Sequence, residues 1–329
     1  MDTENNASSL NEDLIEETLE ALEKLPEDAE LRVSGIIREF NETSLSDLSV
    51  EIARTVVSEL TFAHFSMPVP VASPYQIYRA RTYETYELES SFDQLSYRPP
   101  NPDQEAGRAN AQGQSLFYGS DTVETVFAEK RLDVGSFANV VKCSVKENAT
   151  LLIVPIGDID SFRRYHRTIL NIQTCADHIG EILRRLHPRK AQAIRLVDAF
   201  LSDWMGRVGD EVYPITNAIV QEFLAHEIAD GVVFRSVAHP GTNNFAIKPE
   251  AVDQKLTPKE VFGHLVQHSF GYGMYQTISI GPSQSIELDG QINWPDDIAK
   301  ENMVRWPEQF TEVVRSIEAA RNDANLRQN

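Results

Sequence analysis

The feature of this sequence that most restricts its fold is a change of hydrophobic period near residue 70. Upstream, Leu14, Leu19, Leu22 and Leu25 recur at loose helical spacing among Glu16, Glu17, Glu20 and Glu23, and Pro26 closes that helix. A second helical stretch covers 31–40, with Leu31, Val33, Ile36, Ile37 and Phe40 as its apolar residues. A third covers 48–65, with Ser46-Asp47 as its cap. Met67-Pro68-Val69-Pro70 then reads as a linker. Beyond it, 76–81 (QIYRAR) alternates, which is the signature of a strand. A chain that changes period in this way carries a helical region followed by a region containing a sheet.

The remaining elements follow the same logic. Residues 115–118 form a short apolar segment, and Ser120 or Asp121 caps a helix after it. With Asp121 as the cap, Glu124 completes a capping box. Strands are expected over 138–145, 150–156, 231–236 and 244–248, with a turn at His239-Pro240-Gly241. Residues 161–212 are mostly helical and rich in arginine, and a helix covers 215–229. Near the end, 279–288 reads as a strand broken at Gly281-Pro282, and 295–321 as one or two helices. Strands and helices neither alternate strictly nor segregate, so the fold class is α+β. Residues 1–70 form an acidic helical extension, open to docking, to a partner or to self-association as a homo-oligomer. Residues 71–255 form the main domain, with 157–212 as a long helical insertion. Residues 256–329 form a C-terminal extension, strand then helices.

Composition narrows the function classes. The formal net charge is −20, so a broad basic face for nucleic acid is not expected. One or two arginines in a pocket are still enough to hold a dinucleotide. Cys143 and Cys175 are too few for a disulfide framework or a four-thiolate zinc site. No stretch approaches the roughly 20 apolar residues of a membrane span. The start of the chain lacks the basic and apolar pattern of a signal peptide, so a cytoplasmic protein is expected.

Three segments carry residues suited to chemistry. Gly107-Arg108-Ala109-Asn110, with Gly113 after it, is a flexible loop holding one planar cation. On the helix that follows, Val123, Val126 and Phe127 share a face, and Glu129 lies about 60° from Val126, on its flank. Ser236 ends a buried strand ahead of the Gly/Asn-rich loop 239–244. Each has an ordinary explanation by itself: a solvated arginine, a snorkelling glutamate, a turn serine.

Their order is informative. Tyr78-Arg79-Ala80-Arg81, then GRAN…G…LFYGSDTVETVFAE over 107–129, then DGVVFRSVAHPGTNN over 230–244 resembles the RES family. That family takes its name from an arginine, a glutamate and a serine. Its members include toxins, paired with antitoxins, that degrade NAD by hydrolysis or phosphorolysis, and some are described as transferring ADP-ribose to proteins. The resemblance implies an ADP-ribosyltransferase-like core of mixed or antiparallel sheet with flanking helices. It implies catalytic roles for Arg79, Glu129 and Ser236, and substrate binding by Arg108, Tyr118, Asn110 and Arg81. NAD is then a substrate, and no metal is implied. Ala109 departs from the family pattern, which has an aromatic or large apolar residue there.

Cleaving the nicotinamide–ribose bond builds positive charge on the sugar, in an oxocarbenium-like transition state. A fixed carboxylate near the ribose stabilises that charge, and arginine forks suit a pyrophosphate. Two other outcomes stay open: mono-ADP-ribosylation of a protein, and an inactive RES-like interaction module. The toxin reading brings an antitoxin as a further partner.

Overall fold

A computed structural model describes residues 2–83 and 87–295, with side chains from residue 12 onward. In chain order its helices are α1 (Asp2–Glu23), α2 (Ala29–Asn41), α3 (Val50–Thr61), α4 (Phe92–Leu95), α5 (Val123–Glu129), α6 (Asp158–Tyr165), α7 (Gln173–Arg185), α8 (Pro188–Met205), α9 (Tyr213–Leu224) and α10 (Pro249–Lys255). The strands are β1 (Val69–Ala72), β2 (Gln76–Tyr83), β3 (Phe117–Ser120), β4 (Phe137–Val145), β5 (Thr150–Pro155), β6 (Gly231–Arg235), β7 (Asn243–Ile247), β8 (Leu256–Gly271), β9 (Met274–Ile280), β10 (Ser285–Ile286) and β11 (Ile292–Asn293). Strands pair both in parallel and antiparallel, and helices precede the sheet-bearing region. The fold is α+β.

Contacts divide the chain into two compact units, one of residues 1–70, 100–114 and 152–235, the other of 71–99, 115–151 and 236–329. In the first unit, Ile15, Leu19 and Leu22 of α1 bury against Ile179, Ile182 and Leu183 of α7. Phe40 of α2 meets the rings of Phe200 and Trp204 on α8 edge-on. The N-terminal helices and the arginine-rich stretch that the sequence sets apart therefore share one core. Lys190, almost fully buried, ends on the Glu23 carboxylate at 2.8 Å. A parallel pair, β5 with β6, completes this unit.

In the second unit the strands run β7-β3-β2-β4-β8-β9, every neighbour antiparallel. Val126 and Phe127 of α5 pack on Ala80, Val140 and Val266. Gly119 fits a close crossing, because a Cβ there would fall 2.4 Å from Ile77 Cγ2 and 3.1 Å from the Tyr78 carbonyl.

Several boundaries differ from the sequence reading. The expected linker already contains β1, whose Val69 and Val71 are buried while the residues between and after them face out. The cap of α3 is Ser49, whose Oγ accepts from Ile52 N at 3.2 Å; Ser44 caps a short 3-10 turn before it. The cap of α5 is Thr122 instead of Ser120 or Asp121, and Asp121 accepts from Asn243. Helix α9 stops at Leu224, five residues early, and starts with Pro214 in its first turn. Residues 256–280 supply β8 and β9, which extend the antiparallel sheet from β4. Sequence reading recovers only the end of this hairpin, since Pro258 and Gly263 interrupt the pattern of β8. The helices expected over 295–321 fall outside the described residues after 295.

The first unit also buries carboxylates. Asp198 accepts from His64 Nε2 at 3.2 Å and from the Asp160 amide at 2.7 Å. Asp158 accepts from the Ile169 amide at 2.5 Å. Burial raises the Asp158 pKa to about 7, against the Ile169 bond, with the Asp198 charge pushing the same way as burial. The folded state then binds a proton that the unfolded chain releases near pH 4, so this group's contribution is lost as pH rises through about 7. Asp158→Asn is expected to flatten that decline and to be about 4 kcal/mol more stable than wild type at pH 8, with a gain of only about 1–2 kcal/mol at pH 5. Urea unfolding at the two pH values reads the effect; equal shifts at both would refute it.

Candidate functional site

The helix α5 delivers Glu129 to one edge of the second unit. Its N-terminus is fixed by Thr122 Oγ1, which accepts from Thr125 N at 3.2 Å. The buried Val126 and Phe127 set its rotation. Glu129, on the last helical position, is exposed, yet its carboxylate is held. Ser236 Oγ donates to Glu129 Oε1 at 2.6 Å, and Asn244 Nδ2 donates to the same oxygen at 2.5 Å. Both donors are themselves fixed. The His239 amide donates to Ser236 Oγ at 3.0 Å, and Ser120 Oγ donates to Asn244 Oδ1 at 2.7 Å across the β3–β7 pairing of Ser120 with Asn244. Glu129 Oε2 has no hydrogen-bond partner among the described residues. One carboxylate oxygen is therefore anchored and the other is available.

The loop that carries His239 is braced from two sides. Thr125 Oγ1 lies 3.1 Å from His239 Nδ1 and donates to Thr242 Oγ1 at 2.8 Å. On the other side stands Gly273, in the turn between β8 and β9, with φ +76°. A Cβ there would sit 2.5 Å from His239 Cδ2, so glycine allows both the turn and the contact.

Cations gather in the same unit. Arg79 on β2 donates Nε to the Leu95 carbonyl at 3.0 Å and Nη1 to the Tyr118 carbonyl at 2.7 Å, with its guanidinium 5.2 Å from the Phe117 ring centroid. Arg81, two residues on along β2, donates to Gln94 Oε1 at 3.0 Å. Burial, and then the charges of Arg81 and Arg98, lower the Arg79 pKa to about 10. Lys130 follows Glu129 directly. The residue as a whole is exposed, but burial of its ammonium is the larger cause of a pKa near 8, followed by the charges of Arg79, Arg98 and Arg81. Four cations thus feel one another, and none forms an ion pair with a carboxylate among the described residues. A cluster of like charges that repel is stable only where something anionic is meant to sit among them, or where solvent screens it well.

The family model for the RES domain matches residues 73–263, more than half of the chain. The chain belongs to the RES domain family. No curated protein and no solved structure matches it. The matched stretch of this RES protein contains Arg79, Arg108, Glu129 and Ser236.

Of the residues singled out in the sequence, Arg79, Arg81, Tyr118, Glu129 and Ser236 lie in the second unit. Glu129 and Ser236 are in direct contact, and the Tyr118 carbonyl accepts from Arg79. Arg108 and Asn110 lie in the first unit, where both hold backbone. Arg108 donates to the Met205 and Arg207 carbonyls at 3.0 and 2.6 Å, at the C-terminal end of α8, where a cation is favoured. Asn110 Nδ2 donates to the Glu105 carbonyl at 3.1 Å. Ala109, fully buried, gives its carbonyl to Gln221 Nε2 at 2.7 Å. Sequence reading passed over Asn244, His239, Arg98 and Lys130 of this RES domain. Asn244 had a faint signal, as the second residue of an Asn-Asn pair opening a strand. Arg98 and Lys130 had none, because single exposed cations are ordinary in a sequence. Among the described residues, no three His, Cys, Asp or Glu side chains are grouped to hold a metal ion, and no helix is long and apolar enough to cross a membrane.

Replacing Asn244 by alanine removes a donor from Glu129 and the acceptor of the buried Ser120 hydroxyl. The expected destabilisation is about 1–3 kcal/mol. Ser120→Ala in the same chain should recover part of it, because no buried donor is then left unmatched. Chemical denaturation of both single variants and the double variant measures the coupling; strict additivity would disprove it.

Proposed function

We propose that this RES protein cleaves NAD at the nicotinamide–ribose bond, releasing nicotinamide and passing ADP-ribose to water or phosphate. The single observation that supports this best is the Glu129 carboxylate, anchored through Oε1 by Ser236 and Asn244 with Oε2 open, in a unit that also holds four cations without an ion pair among the described residues. The cations suit a pyrophosphate, and the carboxylate suits a sugar that becomes positively charged.

The bond that breaks is C1′–N1, and its electron pair goes to the pyridinium nitrogen, so nicotinamide leaves neutral and needs no general acid. With water as acceptor, the oxygen bonds C1′ and one proton is released to solvent. In this reading Glu129 Oε2 faces the ribose and stabilises positive charge on it as the bond lengthens. Ser236 and Asn244 keep that oxygen where it is needed and prevent the carboxylate from rotating toward the cations of its own site. Arg79 has its remaining nitrogen, Nη2, for a phosphate oxygen, and its two backbone bonds fix the direction of that donor. Arg81, Arg98 and Lys130 supply further positive charge. Arg108 contributes to substrate binding only if its carbonyl bonds in the first unit are exchanged, which places it behind the other candidates.

Glu129→Gln is expected to reduce nicotinamide release by about 100- to 1,000-fold without lowering thermal stability. Chromatography of NAD incubations measures it, and unchanged release would remove Glu129 from this role. Arg79→Lys keeps the charge but loses the planar fork, and should raise KM for NAD about tenfold.

Transfer of ADP-ribose to a protein is the second reading, favoured by one feature. The tip of the β8–β9 hairpin exposes Phe270, Tyr272 and Met274, and the same tip bears on His239, whose amide holds Ser236. With labelled NAD, label retained on a protein band supports transfer, and free ADP-ribose or its phosphate supports consumption. If the protein is a cytoplasmic toxin restrained by an antitoxin, its expression alone should arrest growth and Glu129→Gln should abolish the arrest.

A further inference from the structure

The second unit holds a cavity of about 590 Å³ that the proposed chemistry does not use. One wall is α4 and the residues after it: Phe92, Asp93, Ser96 and Tyr97. The loop of Glu287 and Asp289 also lines the cavity. Its apolar lining includes Val252, Leu256 and Pro258. The two segments are tied together, since the Phe92 amide donates to the Gly290 carbonyl at 2.8 Å and the Ile292 amide to the Ser90 carbonyl at 2.8 Å.

The cavity is negative. Asp93, Asp253, Glu287 and Asp289 line it against one amine, Lys146. That amine is engaged, donating to the Asp253 and Gln254 carbonyls at 2.8 and 3.0 Å. Tyr97 donates its hydroxyl to both Asp253 oxygens, at 3.0 and 2.8 Å. Burial, then the Asp253 bond and the charges of Asp253, Glu250 and Asp93, raise the Tyr97 pKa to about 12. A further group lacks what a buried polar atom needs. Ser96 is 5% exposed, and its Oγ has no hydrogen-bond partner among the described residues. A buried hydroxyl without a partner is unfavourable, and a ligand or water offering an acceptor or donor would relieve it. A lining that combines acidic, apolar and aromatic side chains fits a cation carried on an apolar body.

We propose that this cavity is a binding site for a small organic cation, an ammonium or guanidinium on an alkyl or aromatic skeleton. The site has a physical route to the cation cluster. The carbonyl of Leu95 holds Arg79 Nε, and the side chain of Gln94 holds Arg81, while their neighbours Asp93 and Ser96 face the cavity. One four-residue helix therefore serves both sides. A ligand that steadies α4 pre-organises both arginines and tightens whatever anion they hold. This second step rests on the reading of the arginines as NAD ligands; the binding site does not.

The test uses phenethylamine, protonated at pH 7, and its uncharged analogue 2-phenylethanol, titrated calorimetrically into the full chain without NAD. Saturable binding of the amine is expected, with 2-phenylethanol at least about tenfold weaker. Asp93→Asn and Asp289→Asn should each weaken the amine about threefold to fivefold, and a far-ultraviolet spectrum equal to wild type confirms that each variant is folded. No saturable binding, equal binding of the alcohol, or binding that neither variant alters would overturn the site. In the second arm, a saturating concentration of the amine should lower KM for NAD about threefold in the wild-type chain, and the concentration that gives half of this effect should rise about threefold to fivefold in Asp93→Asn. An unaltered KM with the cavity filled would refute the coupling. Absence of any NAD turnover would refute the proposed activity and leave the calorimetric result to decide the site.

Discussion

Two hydrogen bonds from one guanidinium hold the second unit's functional edge together. Arg79 reaches from β2 to the Leu95 carbonyl at the end of α4 and to the Tyr118 carbonyl in β3. Neither acceptor is a carboxylate. The positive charge is therefore kept rather than neutralised, and the structure tolerates it half-buried with two more arginines and a lysine within electrostatic reach. A salt bridge would have fixed the side chain equally well and removed its field. Backbone carbonyls fix it and leave the field intact, which is the arrangement expected of a group that orients an anion.

The same economy appears at Glu129. Its anchors, Ser236 and Asn244, are neutral donors on a single oxygen, and each is backed by a further hydrogen bond from His239 or Ser120. One unit thus holds this carboxylate and a group of cations without an ion pair between them among the described residues. Preventing that collapse requires rigid holders for both, and the rigid holders are a capped helix, a strand register and a glycine turn.

How much of this could be read from the sequence depends on distance along the chain. The strand Gln76–Tyr83 and the helix Val123–Glu129 were readable because period and local apolar faces are short-range properties. The contact between Glu129 and Ser236 was not, although both residues stood out, because it spans 107 positions and follows from the order of strands. Asn244 shows the limit more sharply. Nothing local separates it from Asn243, yet the β3–β7 register sends one side chain to Glu129 and the other to Asp121. Arg108 shows a different limit. A glycine-flanked arginine has the look of a phosphate ligand, but its fork closes the last turn of α8. The strand Leu256–Gly271 was hidden by Pro258 and Gly263, and by its position after what read as the end of a domain.

The cation group also has a consequence that its hydrogen bonds do not express. The chain carries a formal net charge of −20, so an anion approaching from a distance meets repulsion from nearly every direction. Close to Arg79, Arg81, Arg98 and Lys130, four neighbouring positive charges oppose that repulsion. Mobile salt suppresses the long-range part of that landscape first, because the Debye length is about 8 Å at physiological ionic strength. The short-range attraction survives. For most basic binding sites, added salt slows the capture of a nucleotide; here moderate salt should lower the barrier to encounter while sparing the final contacts. An anion captured at that group would then arrive more slowly in pure water than at physiological ionic strength.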